Sequence, residues 1–475
     1  MKQYRYLLKN IGLLSISSFG TKILTFLLIP LYTNILTTEE YGIYDMFMST
    51  ISLLIPILTI NIMDAVMRFA MDEKSDKKTI FSIALRYQIY SMIIISILLI
   101  INYIFNISLS IKEYTFYFWG LFFSNSFYQL MIQFVKGLEE VLYLSIAGII
   151  NTVVMLTGNI IFLIYLKRGL SGYFDANILA NLIPCVFLCL KIKIWKFIGL
   201  KYNKKVCKNM KEYCRPLILN SISWWINNVS DRYIVIWFCG VSVNGIYSIA
   251  YKIPTILNII QNIIMQAWQI SAVRDFDKND KDGFFSKMYE AYNFFTVVIC
   301  SGLIVFTKVF ARLLYAKDFY EAWKYTPFLL ISIVFGAMSG YIGGIFSAVK
   351  DSKIYSYSTM IGALSNIMLN IFLVKMIGAM GAAIATMVSY FIVWQIRILN
   401  VKKYMKLDIN LYTHYLSYSL LVIQSIIMII SPKYIYILQT VTFILLISIN
   451  CSFIKLIIEN IIFWIQRKGY NEYKK

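Results

Sequence analysis

Runs of about twenty apolar residues recur along the whole of this 475-residue chain, each long enough to cross a ~30 Å hydrocarbon core as a helix. That pattern limits the fold. Inside lipid every backbone N–H and C=O must be paired within its own segment or in a closed barrel, so only helices or barrels can span. The ten-residue alternating segments of a barrel are absent, which leaves helices. Composition agrees: 59% of residues are hydrophobic and 15% charged, against roughly 45–50% apolar in soluble domains. The expected class is an all-α polytopic membrane protein.

The spans fall at 11–36, 42–70, 80–104, 114–135, 143–166, 174–192, 216–238, 245–272, 288–311, 327–349, 355–376, 381–400, 410–431 and 434–458, about fourteen transmembrane helices. Lys2, Arg5 and Lys9 precede the first, as in a secretory signal. The apolar run from Ile11 to Leu36 exceeds a signal core and lacks a small-residue cleavage site, so it is expected to remain as the first helix.

Net charge is +21, which in a soluble protein would suggest nucleic acid. Here the bases sit in short loops between spans, and most fall on one side. Lys193, Lys196, Lys201, Lys204, Lys205, Lys208 and Lys211 crowd one segment, while 37–41 and 240–244 hold none. The positive-inside rule places both termini in the cytoplasm. The outer loops are too short for a catalytic domain, so a membrane enzyme is disfavoured and no enzyme activity is expected. Cys185, Cys189, Cys239, Cys300 and Cys451 fall in or beside apolar segments, no CxxC occurs, and His414 is the one histidine. Neither a metal site nor a cofactor is expected.

The halves repeat. Gly42-Ile43-Tyr44 opens the second span and Gly245-Ile246-Tyr247 the eighth, 203 residues on. Asn159-Ile-Ile-Phe-Leu precedes Gly169-Leu-Ser-Gly172, and Asn370-Ile-Phe-Leu precedes Gly378-Ala-Met-Gly381. Six spans per repeat is an even number, so two parallel six-helix bundles are expected, as in transporters that rock about a central site. The bundles would be 1–192 and 216–400, joined by a basic linker at 193–215. Two further helices and a tail would occupy 401–475.

Polar residues recur at helical spacing inside the spans: Ser15, Ser18, Lys22 and Thr25; Asp45, Ser49, Ser52 and Thr59; Asn220, Ser223, Asn227 and Asp231; Ser248, Lys252, Thr255, Asn262, Gln266 and Gln269. Ser, Thr and Asn commonly glue membrane helices together. A lysine near a helix centre costs roughly 2.5–3.5 kcal/mol on insertion scales, so it normally faces water or a partner. Lys22, Arg68 and Lys252 would form a ladder of positive charge suited to a phosphate or pyrophosphate. Arg232 and Gln266 are further substrate-binding candidates, and Asp64 and Asp231 are candidate coupling acids. Asp64 and Arg68, four apart, also suit a structural pair, and Asp231 can partly neutralise Arg232. Pro30, Pro56 and Pro254 are candidate bending points. No GxxxxGK[ST] loop occurs, so an ion, potential or substrate gradient would drive transport.

Pro30-Leu-Tyr-Thr-Asn-Ile-Leu-Thr-Thr-Glu-Glu-Tyr-Gly42 resembles the end of helix one in bacterial repeat-unit flippases of the Wzx type. Asp64-Ala-Val-Met-Arg68-Phe69, Asp231-Arg232-Tyr233, Gly245-Ile-Tyr-Ser-Ile-Ala-Tyr-Lys252-Ile253 and Phe319-Tyr-Glu-Ala-Trp323 resemble that family too, so the likeness runs along nearly the whole chain. The family belongs to the superfamily of multidrug, oligosaccharidyl-lipid and polysaccharide exporters. The resemblance implies a fourteen-helix fold around a cationic cavity. It further implies alternating-access flipping of undecaprenyl-pyrophosphate-linked oligosaccharide, for O-antigen or capsule, beside polysaccharide polymerase machinery. Lys22, Arg68 and Lys252 fit that scheme by position. Beyond Lys22, helix one does not match the multi-arginine pattern of peptidoglycan-precursor flippases. The alternative is a cation-coupled multidrug exporter of the same fold, which the basic stripes disfavour.

Overall fold

A computed structural model describes residues 26–72, 75–199, 203–274, 277–349 and 352–450. The described residues form helices joined by short turns, with no strand among them. Nine of the described helices are long and apolar enough to cross a membrane. The chain is an all-α multi-pass membrane protein. Most of the first expected span, including Lys22, and the end of the last lie outside the described residues.

By its contacts the chain separates into two compact units, residues 1–236 with 240–245, and 237–239 with 246–475. In the first, helix Thr38–Leu58 starts at a capping box: the Thr37 hydroxyl accepts the Glu40 N–H at 3.2 Å, and Glu40 Oε2 accepts the Thr37 N–H at 2.8 Å. The expected continuous span 42–70 is broken. Pro56 removes one intrahelical donor, and Ile60 and Asn61 then take left-handed conformations, φ 51° and 52°. A shorter helix, Ile62–Ala70, follows. A β-branched residue with positive φ carries strain of order 1–3 kcal/mol, so the surrounding packing holds Ile60 there.

Helix Lys77–Phe105 begins at Asp76, whose carboxylate accepts the Lys78 N–H. The Thr79 hydroxyl and nearby backbone N–H groups hold that carboxyl below its ordinary value. Ile93, Ile97, Ile100 and Ile104 lie exposed on one face, while Ser91, Ile95, Leu99 and Asn102 are buried on the other. That is the pattern of a helix with one face to hydrocarbon. Helices Thr115–Gly137 and Gly169–Ile192 complete the core, where the Phe47 ring meets Phe118 edge-on at 5.0 Å and stacks on Phe174 at 5.4 Å.

Residues 204–215, expected within a linker, are instead the first turns of the 36-residue helix Lys204–Cys239. The Asn203 side chain caps it by accepting from the N–H groups of Lys205 and Val206. Cys207, Met210 and Cys214, at helical spacing, then pack into the core of the first unit. Lys204, Lys205, Lys208, Lys211 and Arg215 are exposed on the rest of its surface, with Asn209, Glu212 and Tyr213 among them.

In the second unit, helix Lys252–Arg274 follows Val241–Ala250 with a turn at Tyr251. Pro254 cannot donate to Ala250, whose carbonyl instead accepts from the Thr326 hydroxyl at 3.4 Å. Helix Thr326–Ala348 is the most enclosed of the candidate spans. Expected span 288–311 also breaks, at Phe306, into Phe284–Val305 and Thr307–Leu314. Helices Leu411–Ile430 and Ile435–Ile449 are tied to this unit by buried amides: Ser301 Oγ donates to Gln424 Oε1 at 2.8 Å, and Gln439 Nε2 to the Gln424 carbonyl at 2.9 Å.

The repeat is visible in each unit alone. Asn159 and Asn370 are fully buried, each donating to the carbonyl four residues earlier. Gly381 leaves no room for a Cβ beside Leu373, and a Cβ on Gly172 would be tight against Phe162, at 3.0 Å. The first half has two more residues between asparagine and glycine, and there the helix widens into a π turn at Ile160–Tyr165.

Candidate functional site

Asp45 and Ser49 are one turn apart on helix Thr38–Leu58, and Arg232 reaches both from helix Lys204–Cys239. Its Nη1 donates to Asp45 Oδ1 at 2.5 Å and lies 3.5 Å from Ser49 Oγ. Asn244 Nδ2 donates to the second carboxylate oxygen at 3.2 Å. Asp45 is buried, so an unpartnered charge there would be costly, and the guanidinium supplies the counter-charge. Trp225 Nε1 donates to the Ser49 carbonyl at 2.9 Å, the Thr50 and Tyr233 hydroxyls meet at 2.5 Å, and the Trp225 and Tyr233 rings lie 5.4 Å apart.

Below this cluster, where helix Thr38–Leu58 breaks, lies a cavity of about 310 Å³. Ser52, Ile55, Pro56, Asn61, Asp64, Gln129, Asn220, Ser221, Trp224 and Trp225 line it. Asp64 is held from two directions: Asn61 Nδ2 donates to Oδ2 at 2.8 Å and Gln133 Nε2 to Oδ1 at 2.9 Å. The break creates this site. Left-handed backbone at Ile60 and Asn61 turns the Asn61 amide onto the acid that opens the next helix. Irregular backbone at membrane depth is tolerated where it lines a cavity, and transporters place binding sites at such interruptions.

Of the expected site residues, Asp64 lines the cavity, whereas Arg68, one turn later, is exposed. Asp64 takes its hydrogen bonds from amides rather than from Arg68. Arg232 is joined to Asp45, while its backbone N–H donates to Asp231 Oδ1 at 2.9 Å and Asp231 is buried. Lys252 is half-buried at the start of its helix in the second unit, and Gln266 lies further along that helix. Lys22 is outside the described residues.

Sequence reading passed over Asn61, Gln129, Gln133 and the Trp224-Trp225 pair, since amides and indoles in an apolar run look like ordinary packing. It also passed over Arg397, which is buried in the second unit. Arg397 donates to Ser358 Oγ, the Ser339 carbonyl and Thr359 Oγ1, each at 2.9 Å, and its guanidinium sits 4.2 Å above the Tyr355 ring. His414, fully buried, meets Glu290 Oε1 at 3.1 Å. Among the described residues no cluster of three or more His, Cys, Asp or Glu side chains could hold a metal ion. The arrangement combines a polar cavity, a strained helix break and an ion pair, and can offer hydrogen bonds to a polar ligand.

Comparison with known proteins adds the following. A family described as polysaccharide biosynthesis protein matches residues 7–269. A probable flippase, AglR of Haloferax volcanii, is 23% identical over 292 residues, 57% of this chain and 57% of that protein; the chain thus spans just over half of that relative's length. The lipid II flippase MurJ, in an inward closed conformation, superposes with a TM-score of 0.66 at 17% identity, covering 94% of this chain and 99% of that one. An inward-facing multidrug resistance transporter of the MATE family and MOP superfamily gives 0.65 at 13% identity, covering 80% and 95%. At these identities the structural matches establish a shared fold.

Proposed function

The chain belongs to the polysaccharide biosynthesis protein family, and from that premise we propose that it flips lipid-linked oligosaccharide across the cytoplasmic membrane by alternating access. The observation that carries the reading is the polar cavity at the helix break between Leu58 and Ile62, within a fold shared with a lipid flippase. The substrate is an undecaprenyl-pyrophosphate-linked repeat unit destined for a surface polymer. The protein crosses the membrane about fourteen times with both termini in the cytoplasm. Lys22, Arg68 and Lys252 grip the diphosphate, with Arg232 and Gln266 contributing polar contacts. Asp64, which lines the cavity, and Asp231, buried beside Arg232, are the coupling acids.

A second reading is a cation-coupled multidrug exporter. One observation favours it: the charge lining the cavity is the carboxylate of Asp64, beside two indoles, and such surroundings attract organic cations. Reconstitution separates the two. Proteoliposomes containing the protein should move a fluorescent undecaprenyl-diphosphate saccharide between leaflets and should not accumulate tetraphenylphosphonium. The opposite pair of results would replace the flippase with the exporter.

A further inference from the structure

The cavity beside the helix break has a lining poorly matched to a diphosphate. Among the described residues that line it there is no lysine or arginine, and the charge they carry is that of Asp64. That carboxylate would repel a diphosphate placed against it. What the lining does offer is amides and hydroxyls, Ser52, Asn61, Gln129 and Asn220, which supply donors and acceptors together. An organic cation needs acceptors and aromatic faces, and amide N–H groups would be wasted on it. The two amides on Asp64 also offset part of its charge and fix its orientation, leaving its remaining lone pairs as preorganised acceptors. Trp224 and Trp225 add flat apolar faces. Trp225 is fixed by its N–H bond to the Ser49 carbonyl.

Flat apolar faces beside a ring of mixed donors and acceptors match a pyranose, whose C–H faces are apolar and whose hydroxyls both donate and accept. At about 310 Å³ the space is at the small end of ligand pockets, roughly 300–1,000 Å³, and suits one sugar ring. Resting on the flippase reading, we propose that this cavity is a sugar-selecting subsite that takes one uncharged pyranose of the translocated headgroup and rejects a uronic acid. The rejection comes from Asp64: a sugar carboxylate would meet a fixed carboxylate in a partly desolvated space. The selecting residues are Asn61, Asp64, Gln129 and Trp224.

The test uses the full-length protein in lipid nanodiscs and three probes: undecaprenyl diphosphate alone, the same lipid bearing one N-acetylhexosamine, and the same lipid bearing one hexuronic acid. The wild type should bind the neutral glycolipid at least about tenfold more tightly than the uronate. Asp64→Asn should bring that ratio below about threefold, while Trp224→Ala and Gln129→Ala, the latter at an exposed residue, should lower affinity for the neutral glycolipid toward that for undecaprenyl diphosphate alone. Equal binding of all three lipids by the wild type overturns the subsite and leaves the flippase standing. An undiminished ratio in Asp64→Asn also overturns it. Failure to bind any of the three lipids, with binding of tetraphenylphosphonium, overturns subsite and flippase together.

Discussion

Arg232 Nη1 lies 2.5 Å from Asp45 Oδ1, an ion pair between residues 187 positions apart that fastens helix Lys204–Cys239 to helix Thr38–Leu58. Removing one partner strands the other charge in a poorly solvated place. Arg232→Ala should therefore cost about 3 kcal/mol of stability, near the low end for buried pairs because the guanidinium is partly exposed. Asp45→Asn with Arg232→Gln, which removes both charges and keeps the amide contacts, should cost clearly less. Thermal unfolding in detergent measures both. A double-variant loss equal to the sum of the losses from Asp45→Asn and Arg232→Gln alone would mean that the pair contributes no coupling.

Gly42 and Gly245, the glycines of the repeated Gly-Ile-Tyr motif, sit at a close helix crossing. A Cβ on Gly42 would overlap the Val241 carbonyl and one on Gly245 the Thr38 carbonyl, while the Thr38 and Ser242 hydroxyls meet at 2.6 Å. Small residues let backbones approach in membranes. Gly42→Ala and Gly245→Ala should each sharply reduce the yield of monodisperse protein by size-exclusion chromatography. Gly302→Ala, whose Cβ would meet Phe443 at an ordinary 3.9 Å, should not.

Ile60 holds φ 51° at the break. Glycine accepts that conformation without the Cβ penalty of roughly 1–2 kcal/mol, so Ile60→Gly should fold at least as well as the wild type. Ile60→Pro, with φ locked near −65°, should fail to fold. A melting temperature lowered by the glycine would show that side-chain packing of Ile60 outweighs its backbone strain.

The cation ladder predicts that Lys22→Ala and Lys252→Ala each lower transport at least about tenfold with near-normal abundance in the membrane. Wild-type transport by both variants would remove the ladder from the account. Reporter fusions after Lys205 and Lys402 should read cytoplasmic, and a periplasmic signal at either would reverse the proposed topology.

The helices, the membrane class and the repeat were legible because apolar run length and motif order are local properties of the chain. Asn159 and Asn370 could be matched by eye, and the structure buries both. The helix break was half legible: Pro56 marks a weak point, but the strain falls on Ile60 and Asn61, whose φ depends on tertiary packing. Asp45 stood in a polar stripe, yet nothing near it in sequence names Arg232 as its partner. Asn203 and the buried face Cys207, Met210, Cys214 mark a helix start that the dense lysines around them disguised as a linker. The cavity was least legible, since Asn61, Gln129, Gln133 and Trp224 come together from three stretches of chain.

The most direct test of the central claim is to deplete the protein in cells and follow lipid-linked oligosaccharide and surface polysaccharide together. The account predicts that the undecaprenyl-linked unit accumulates in the inner leaflet while surface polymer is lost. Unchanged lipid-linked oligosaccharide and polymer, with increased sensitivity to toxic organic cations, would contradict it.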